Sequence, residues 1–269
     1  MNPGELACYL YCLTPSGRGG VAAAGVDGRH PVLTREMARD GAGIGAVYSE
    51  VEVEEFVGAA AEARLQDLAC LGPSVCRHEA VIEEAMRRGA VLPARFATLF
   101  TSLDSLKNFV VEHQEAIAGF FTQIGDRQEW AVKGLLDRAA ALERLSWRAT
   151  GQDEPERAPG ARYFEQRRRK DQAEREFGRG LQEFCQQAAV ALGATADRFR
   201  ERKALPPLEG RAEAVLNWAF LLAPAEMERF RASLDRLNRE EAFPGLRLAL
   251  TGPWPPFSFA PDLSAGARE

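Results

Sequence analysis

The sequence predicts an α+β protein of two domains: a mixed α+β domain over residues 1–125, and a ferredoxin-like domain over 126–269 built around one long helix, 161–200. Three observations predict this. Short apolar and aromatic runs bounded by Gly and Pro alternate with segments whose apolar residues recur every three or four positions. In the second half these segments fall in the order β-α-β-β-α-β, expected as an antiparallel sheet with both helices on one face. A helical stretch closes at Gly125, leaving a first unit of about 120 residues, an ordinary domain size.

The elements follow in order. "ACYLYCLT" (7–14) is a buried strand stopped by "PSGRGG", with Cys8 and Cys12 in its core. "VAAAGVDGRHPVLT" supplies a strand, a turn at Asp27-Gly28 and a short second strand, and "GIGAVYSEV" (43–51) is another. "EEFVGAAAEARLQDLACL" carries Phe56, Ala60, Leu65 and Leu68 at helical spacing. A further helix has Pro73 near its start and Gly89 after its end. "AVLPARFATLF" (90–100) is extended, and Pro93 places it on an edge. The stretch from Leu103 to Gly125 is helical in two pieces.

"RQEWAVKGLLD" opens the second half as a strand, and "TGQDEPERAPG" (150–160) is a linker. Phe177, Leu181, Phe184, Ala188, Leu192, Thr195 and Phe199 form one face of the long helix. "KALPPLEG" is a short extended piece, "AEAVLNWAFLL" a buried strand, "AEMERFRASLDRLNREE" an amphipathic helix, and "LRLALTG" the last strand.

Composition narrows the function classes. The chain is 46% hydrophobic and 27% charged, so it can bury a core. A net charge of −5 argues against a general polyanion binder, so no nucleic acid is expected. No stretch approaches 18 uninterrupted apolar residues, so no lipid membrane is expected either. The cysteine count is odd, at five, and Glu5 stands where a secretory leader would be basic, so reduced cytosolic thiols are expected.

Motif chemistry is sparse. "GAGIGA" (41–46) precedes a strand rather than a helix, so it reads as a turn and not a phosphate loop. "PSGRGG" lacks the ending of a P-loop. Cys70, Cys76 and His78 lie close together but do not complete a four-ligand set. Asp153, Glu154 and Glu156 belong to a solvated linker, and "RRRK" (167–170) to a salt-bridged helix face. No nucleophile motif is present, so no catalytic residue, metal or cofactor is assigned. Two features stand out. Arg95 sits between apolar residues in an extended segment, either as an anchor for a carboxylate or as a structural ion pair. The ending "TGPWPPFSFAP" (251–261) stiffens the chain with three prolines while loading it with Trp254, Phe257 and Phe259. These aromatics either fold back and pin the terminus or form a docking surface, and burial is preferred because a free tail would expose a large apolar patch.

Five blocks in order resemble the gas vesicle protein F/L family: "YLYCLTP", "RHEAVIEEAM", "VLPARFATLFTSLDSL", "QEWAVKGLLD", and "VLNWAFLL" with "LTGPWPPFSF". Two departures are visible. Ala97 stands where the family usually has Gly, and Phe257 where it often has Tyr. The resemblance implies a minor protein of gas vesicle formation, located in the gas vesicle within the cytoplasm. It implies binding to the small apolar major shell protein (protein A) and to other accessory gas vesicle proteins, in nucleation or chaperoning of the shell. It brings no enzyme activity, metal or cofactor. Two other readings stay open from the residues alone: an enzyme with its site between the domains, and a small-ligand-binding regulatory module.

Overall fold

A computed structural model describes residues 5–17, 20–38, 43–58, 61, 67–150, 159–203, 213–239 and 243–263. The architecture is α+β, with two antiparallel sheets and helices. Contacts divide the chain into two compact units. One comprises residues 1–128 together with 254–269, the other residues 129–253.

The first unit is organised by β1 (Leu6–Pro15). Its seven residues from Ala7 to Leu13 are all buried, as a central strand covered on both faces requires. It pairs antiparallel with β3 (Ile44–Glu52), which pairs in turn with the outer strand β2 (Leu33–Ala38). The register of β1 against β3 slips between Leu10 and Cys12, a bulge at Tyr11. On the other side of β1 lie two short strands, β4 (Leu92–Pro93) and β5 (Leu99–Phe100), opposite Cys12–Leu13 and Cys8–Tyr9 respectively. Pro93 thus falls on an outer strand, as its missing N–H demands.

Helix α1 (Leu68–Met86) lays Val81, Ile82 and Ala85 on Tyr9, Tyr11, Val47 and Val51. It begins before Pro73, which lies inside the helix rather than at its first turn as expected. The expected helix upstream of it falls largely outside the described residues, and Phe56 lies in a turn. The two-piece helix is α2 (Leu103–Glu112) and α3 (Gln114–Ile124). Ser102 and Ser105 cap α2 reciprocally, each hydroxyl taking the other's N–H at 3.1 Å. The break is at His113, and Gly125 ends α3 at φ 54°, a conformation glycine adopts without steric cost.

In the second unit the strands are β6 (Gln128–Leu136), β7 (Arg198–Glu201), β8 (Glu213–Leu222) and β9 (Leu246–Trp254), in the spatial order β7-β8-β6-β9. The helices are α4 (Arg138–Thr150) and α5 (Pro159–Gly193) between β6 and β7, and α6 (Met227–Arg239) between β8 and β9. Alternate residues of β6 (Trp130, Val132) and β8 (Leu216, Trp218, Phe220, Leu222) face a core closed by Phe184 and Leu192 of α5 and Phe230 and Leu234 of α6. Gly134 keeps the period without a side chain, because a Cβ there would lie 2.5 Å from Leu216.

Three expectations are corrected. The long helix stops at Gly193 rather than Arg200, and Phe199 belongs to β7, opposite Phe220 and 42% exposed. The strand before β8 is Arg198–Glu201, not "KALPPLEG", most of which lies outside the described residues, as does most of the expected linker. Helix α4, not foreseen, fills residues 138–150 and packs on α5.

Candidate functional site

The region that gathers the most chemistry is the edge of β1 facing the "LPARFATLF" segment. Between β4 and β5 the chain leaves the sheet for one turn, residues 94–98, and returns. Two side chains buried beneath it hold the turn. Tyr9 of β1 reaches His78 of α1, with the hydroxyl 2.9 Å from Nδ1. His78 Nε2 lies 3.2 Å from the Ala94 carbonyl, and the Ala97 N–H donates to the Tyr9 oxygen at 3.1 Å. A carbonyl can only accept, so His78 carries its proton on Nε2, and Nδ1 accepts from Tyr9. The proton order runs Ala97 N–H to Tyr9 O–H to His78 Nδ1, then His78 Nε2–H to the Ala94 carbonyl.

This order needs a neutral imidazole. His78 is 1% exposed, and burial holds its pKa down, to about 4, against a smaller opposite pull from the Ala94 carbonyl. Burial likewise pushes the Tyr9 phenol up, so the hydroxyl stays protonated. The rings of Tyr9, Tyr11, Phe56, His78 and Phe96 form one cluster, with Phe96 edge-on to His78 at 5.6 Å between centroids.

A second clamp lies beside it. The Tyr11 hydroxyl accepts from the Val26 N–H at 2.8 Å and pairs with Ser49 Oγ at 2.9 Å, and Ser49 donates to the Pro31 carbonyl at 2.8 Å. Within that loop the Asp27 carboxylate takes the N–H groups of Arg29 and His30 and the His30 Nδ1. Burial alone would raise its pKa, but those hydrogen bonds outweigh it and hold the carboxyl below its ordinary value.

The residues singled out from sequence fall as follows. Arg95 is exposed on the 94–98 turn and makes no ion pair among the described residues. Ala97 has φ 62°, the one positive φ outside glycine among the described residues. In the tail Phe259 is 3% exposed, Phe257 packs against the β1–α1 core, and Trp254 is 40% exposed. Pro255 and Pro256 are buried, and Phe257–Phe259 makes one 3-10 turn where no helix was expected. His78 spends both ring nitrogens on hydrogen bonds, Cys76 is exposed, and the Cys70 side chain lies outside the described residues. Among the described residues no cluster of potential metal ligands occurs. Gly43 is packed so tightly on Ser16 that a Cβ would lie 2.3 Å from its hydroxyl, and Ile44, Gly45 and Ala46 of "GAGIGA" already belong to β3, so a strand and not a helix follows the glycine. No helix among the described residues is long and apolar enough to cross a membrane.

The geometry positions backbone rather than substrate. Tyr9 and His78, the two groups capable of proton transfer here, are sealed in the core and spent on the turn. A cavity of about 590 Å³ at the outer edge of the first sheet is lined by Arg35, Glu36, Met37, Asp104, Lys107 and Val111 among others, mixed charges with no nucleophile-and-base pair.

Sequence reasoning missed Tyr9 and weighed His78 only as a metal ligand. The signal available was the tyrosine pair in a buried strand, since a buried phenol needs a hydrogen-bond partner.

Residues 7–261 match the family described as gas vesicle synthesis protein GvpL/GvpF. Gas vesicle protein L of a Streptomyces species is 26% identical over 259 residues, covering 94% of this chain and 92% of that protein. Gas vesicle protein L1 of Halobacterium salinarum is 26% identical over 271 residues, covering 95% and 90%. The crystal structure of gas vesicle protein GvpF from Anabaena superposes with a TM-score of 0.67 at 20% identity, covering 95% of this chain and 96% of that one, a likeness of fold.

Proposed function

We propose, for a chain that belongs to the gas vesicle synthesis protein GvpL/GvpF family, a non-enzymatic role in gas vesicle formation through binding of the small apolar shell protein, protein A. In this reading it nucleates or chaperones shell assembly together with other accessory gas vesicle proteins, and it resides in the gas vesicle within the cytoplasm. The observation that carries the reading is the match over residues 7–261, nearly the whole chain. Physical chemistry supports it: a shell subunit with an apolar face is prone to aggregate before it is incorporated, and a partner that covers that face suppresses this. Within this reading residues 126–269 hold a ferredoxin-like domain and 1–125 form a second domain. The strand order β7-β8-β6-β9, with helices between β6 and β7 and between β8 and β9, supports the first assignment. Trp254 is the docking aromatic of the tail, while Phe257 and Phe259 hold the tail in place.

The test is a binding titration of purified protein against purified shell protein. Trp254→Ala is expected to weaken binding by about thirtyfold, the scale of an interface aromatic, with an unchanged melting midpoint. No binding by the unaltered protein to any gas vesicle protein would overturn the assembly role. Unchanged binding by the Trp254 variant would remove only the assignment of the tail.

A further inference from the structure

Arg95 occupies a turn that the protein secures through backbone groups of Ala94, Arg95, Ala97 and Thr98. The Ala94 N–H donates to the Tyr11 carbonyl at 2.8 Å, and the Ala94 carbonyl takes the His78 ring. The Arg95 carbonyl accepts both the N–H of Thr98, at 3.2 Å, and its hydroxyl, at 2.7 Å. The Ala97 N–H is held by Tyr9, and the Thr98 carbonyl by the Leu10 N–H at 2.9 Å. Phe96 inserts its ring among Tyr9, Phe56 and His78. With its neighbours tied inward, Arg95 projects outward, exposed and without an ion pair among the described residues.

Holding this shape has a cost. A left-handed alanine is strained by about 1 kcal/mol, and an imidazole has to be kept neutral in the core. A link between two short strands does not need either. Strain and over-determination around one exposed charge mark that charge as the thing being positioned.

We infer that the 94–98 turn is a rigid mount that presents the Arg95 guanidinium to a carboxylate on the surface of a protein partner. The inference rests on the assembly reading above and adds the chemistry of one contact. A guanidinium is a planar fork of donors that matches a carboxylate with two parallel hydrogen bonds. A backbone fixed before the encounter removes part of the ordering cost of that contact. The protein's own charge of −5 favours an isolated carboxylate over a polyanion, which would meet repulsion across the rest of the surface. Tyr9 and His78 act here as positioning residues.

The experiment uses the full chain, with purified shell protein and each purified accessory gas vesicle protein of the same organism as probes. Affinities are measured for the wild type, Arg95→Ala and Arg95→Lys, with a thermal melt of each. For at least one probe Arg95→Ala is expected to weaken binding by about thirtyfold. Arg95→Lys is expected to recover only part of that, because an ammonium lacks the fork. Both variants are expected to melt with the wild type, since the side chain is exposed. Binding by Arg95→Ala within about twofold of the wild type for every bound probe would overturn the inference and leave the assembly reading standing. A wild type that binds none of the probes would overturn both.

Discussion

Acidifying the protein should expose the energetic cost of the buried His78. In the folded state burial holds the imidazole at about 4, while the unfolded chain takes its proton near 6.5. Between those values the unfolded state binds a proton that the native state refuses, so stability falls as pH drops through the window and levels off below about 4. The gap between about 4 and 6.5, at about 1.4 kcal/mol per pH unit, is worth about 3 kcal/mol. His78 is 1% exposed, so solvent screening takes little from this.

Other groups titrate nearby. The Asp27 and Glu84 carboxyls are held low and contribute stability that is lost as they protonate. Glu79 is held high by burial and works in the opposite sense. A comparison with His78→Asn removes these, because both proteins share them. The assay is urea denaturation of both proteins at intervals between about pH 7 and 4. The wild type should lose about 3 kcal/mol more than the variant across that range. Parallel curves would refute the reasoning, and so would an NMR titration of His78 with a midpoint near its unperturbed value.

Two further outcomes follow from packing and backbone. Ala97→Gly should stabilise by about 0.5–1 kcal/mol, because glycine relieves the left-handed strain at φ 62° and more than offsets its own entropy cost. A denaturation midpoint at or below the wild-type value would show that the turn is not strained. Phe230→Ala should destabilise by about 3–5 kcal/mol, since this ring is fully buried and lies 5.0 Å from Phe220 across the core of the second unit. Calorimetry showing a smaller loss than about 1 kcal/mol would mean that the core there repacks around the gap.

Much of the fold was legible because local pattern and tertiary role agree. The apolar runs of β1, β3, β6 and β8 are strands in the core, and the stripe Phe230, Leu234, Leu237 on α6 faces it. The long helix was overrun because Thr195 and Phe199 continue its spacing by coincidence, whereas Gly193 and the turn after it end the helix. Helix α4 was missed between a clear strand and an acid-rich stretch, although Asp137 marks its start by accepting the Ala140 N–H at 3.0 Å. Burial was expected of all three tail aromatics, whereas Phe259 is buried, Phe257 is partly buried and Trp254 is 40% exposed. The clamp on the Arg95 turn was out of reach, because Tyr9 and His78 lie 69 residues apart and no local spacing joins them. Alanine at position 97 carries no sign of its dihedral, and only the glycine usual in the family hinted at it.

The division of the chain joins two segments that lie far apart in sequence. Residues 129–253 form a unit from one unbroken stretch, whereas the unit built on β1 also draws on residues after 253. Strand β1 and the tail therefore share one core, with Phe257 packed against the cluster of Tyr9 and Tyr11. Contacts of such long sequence separation are slow to form, because the intervening chain must first be closed into a loop. A cut at residue 253 would thus take side chains out of the core of the first unit, although it lies far from β1 in the sequence.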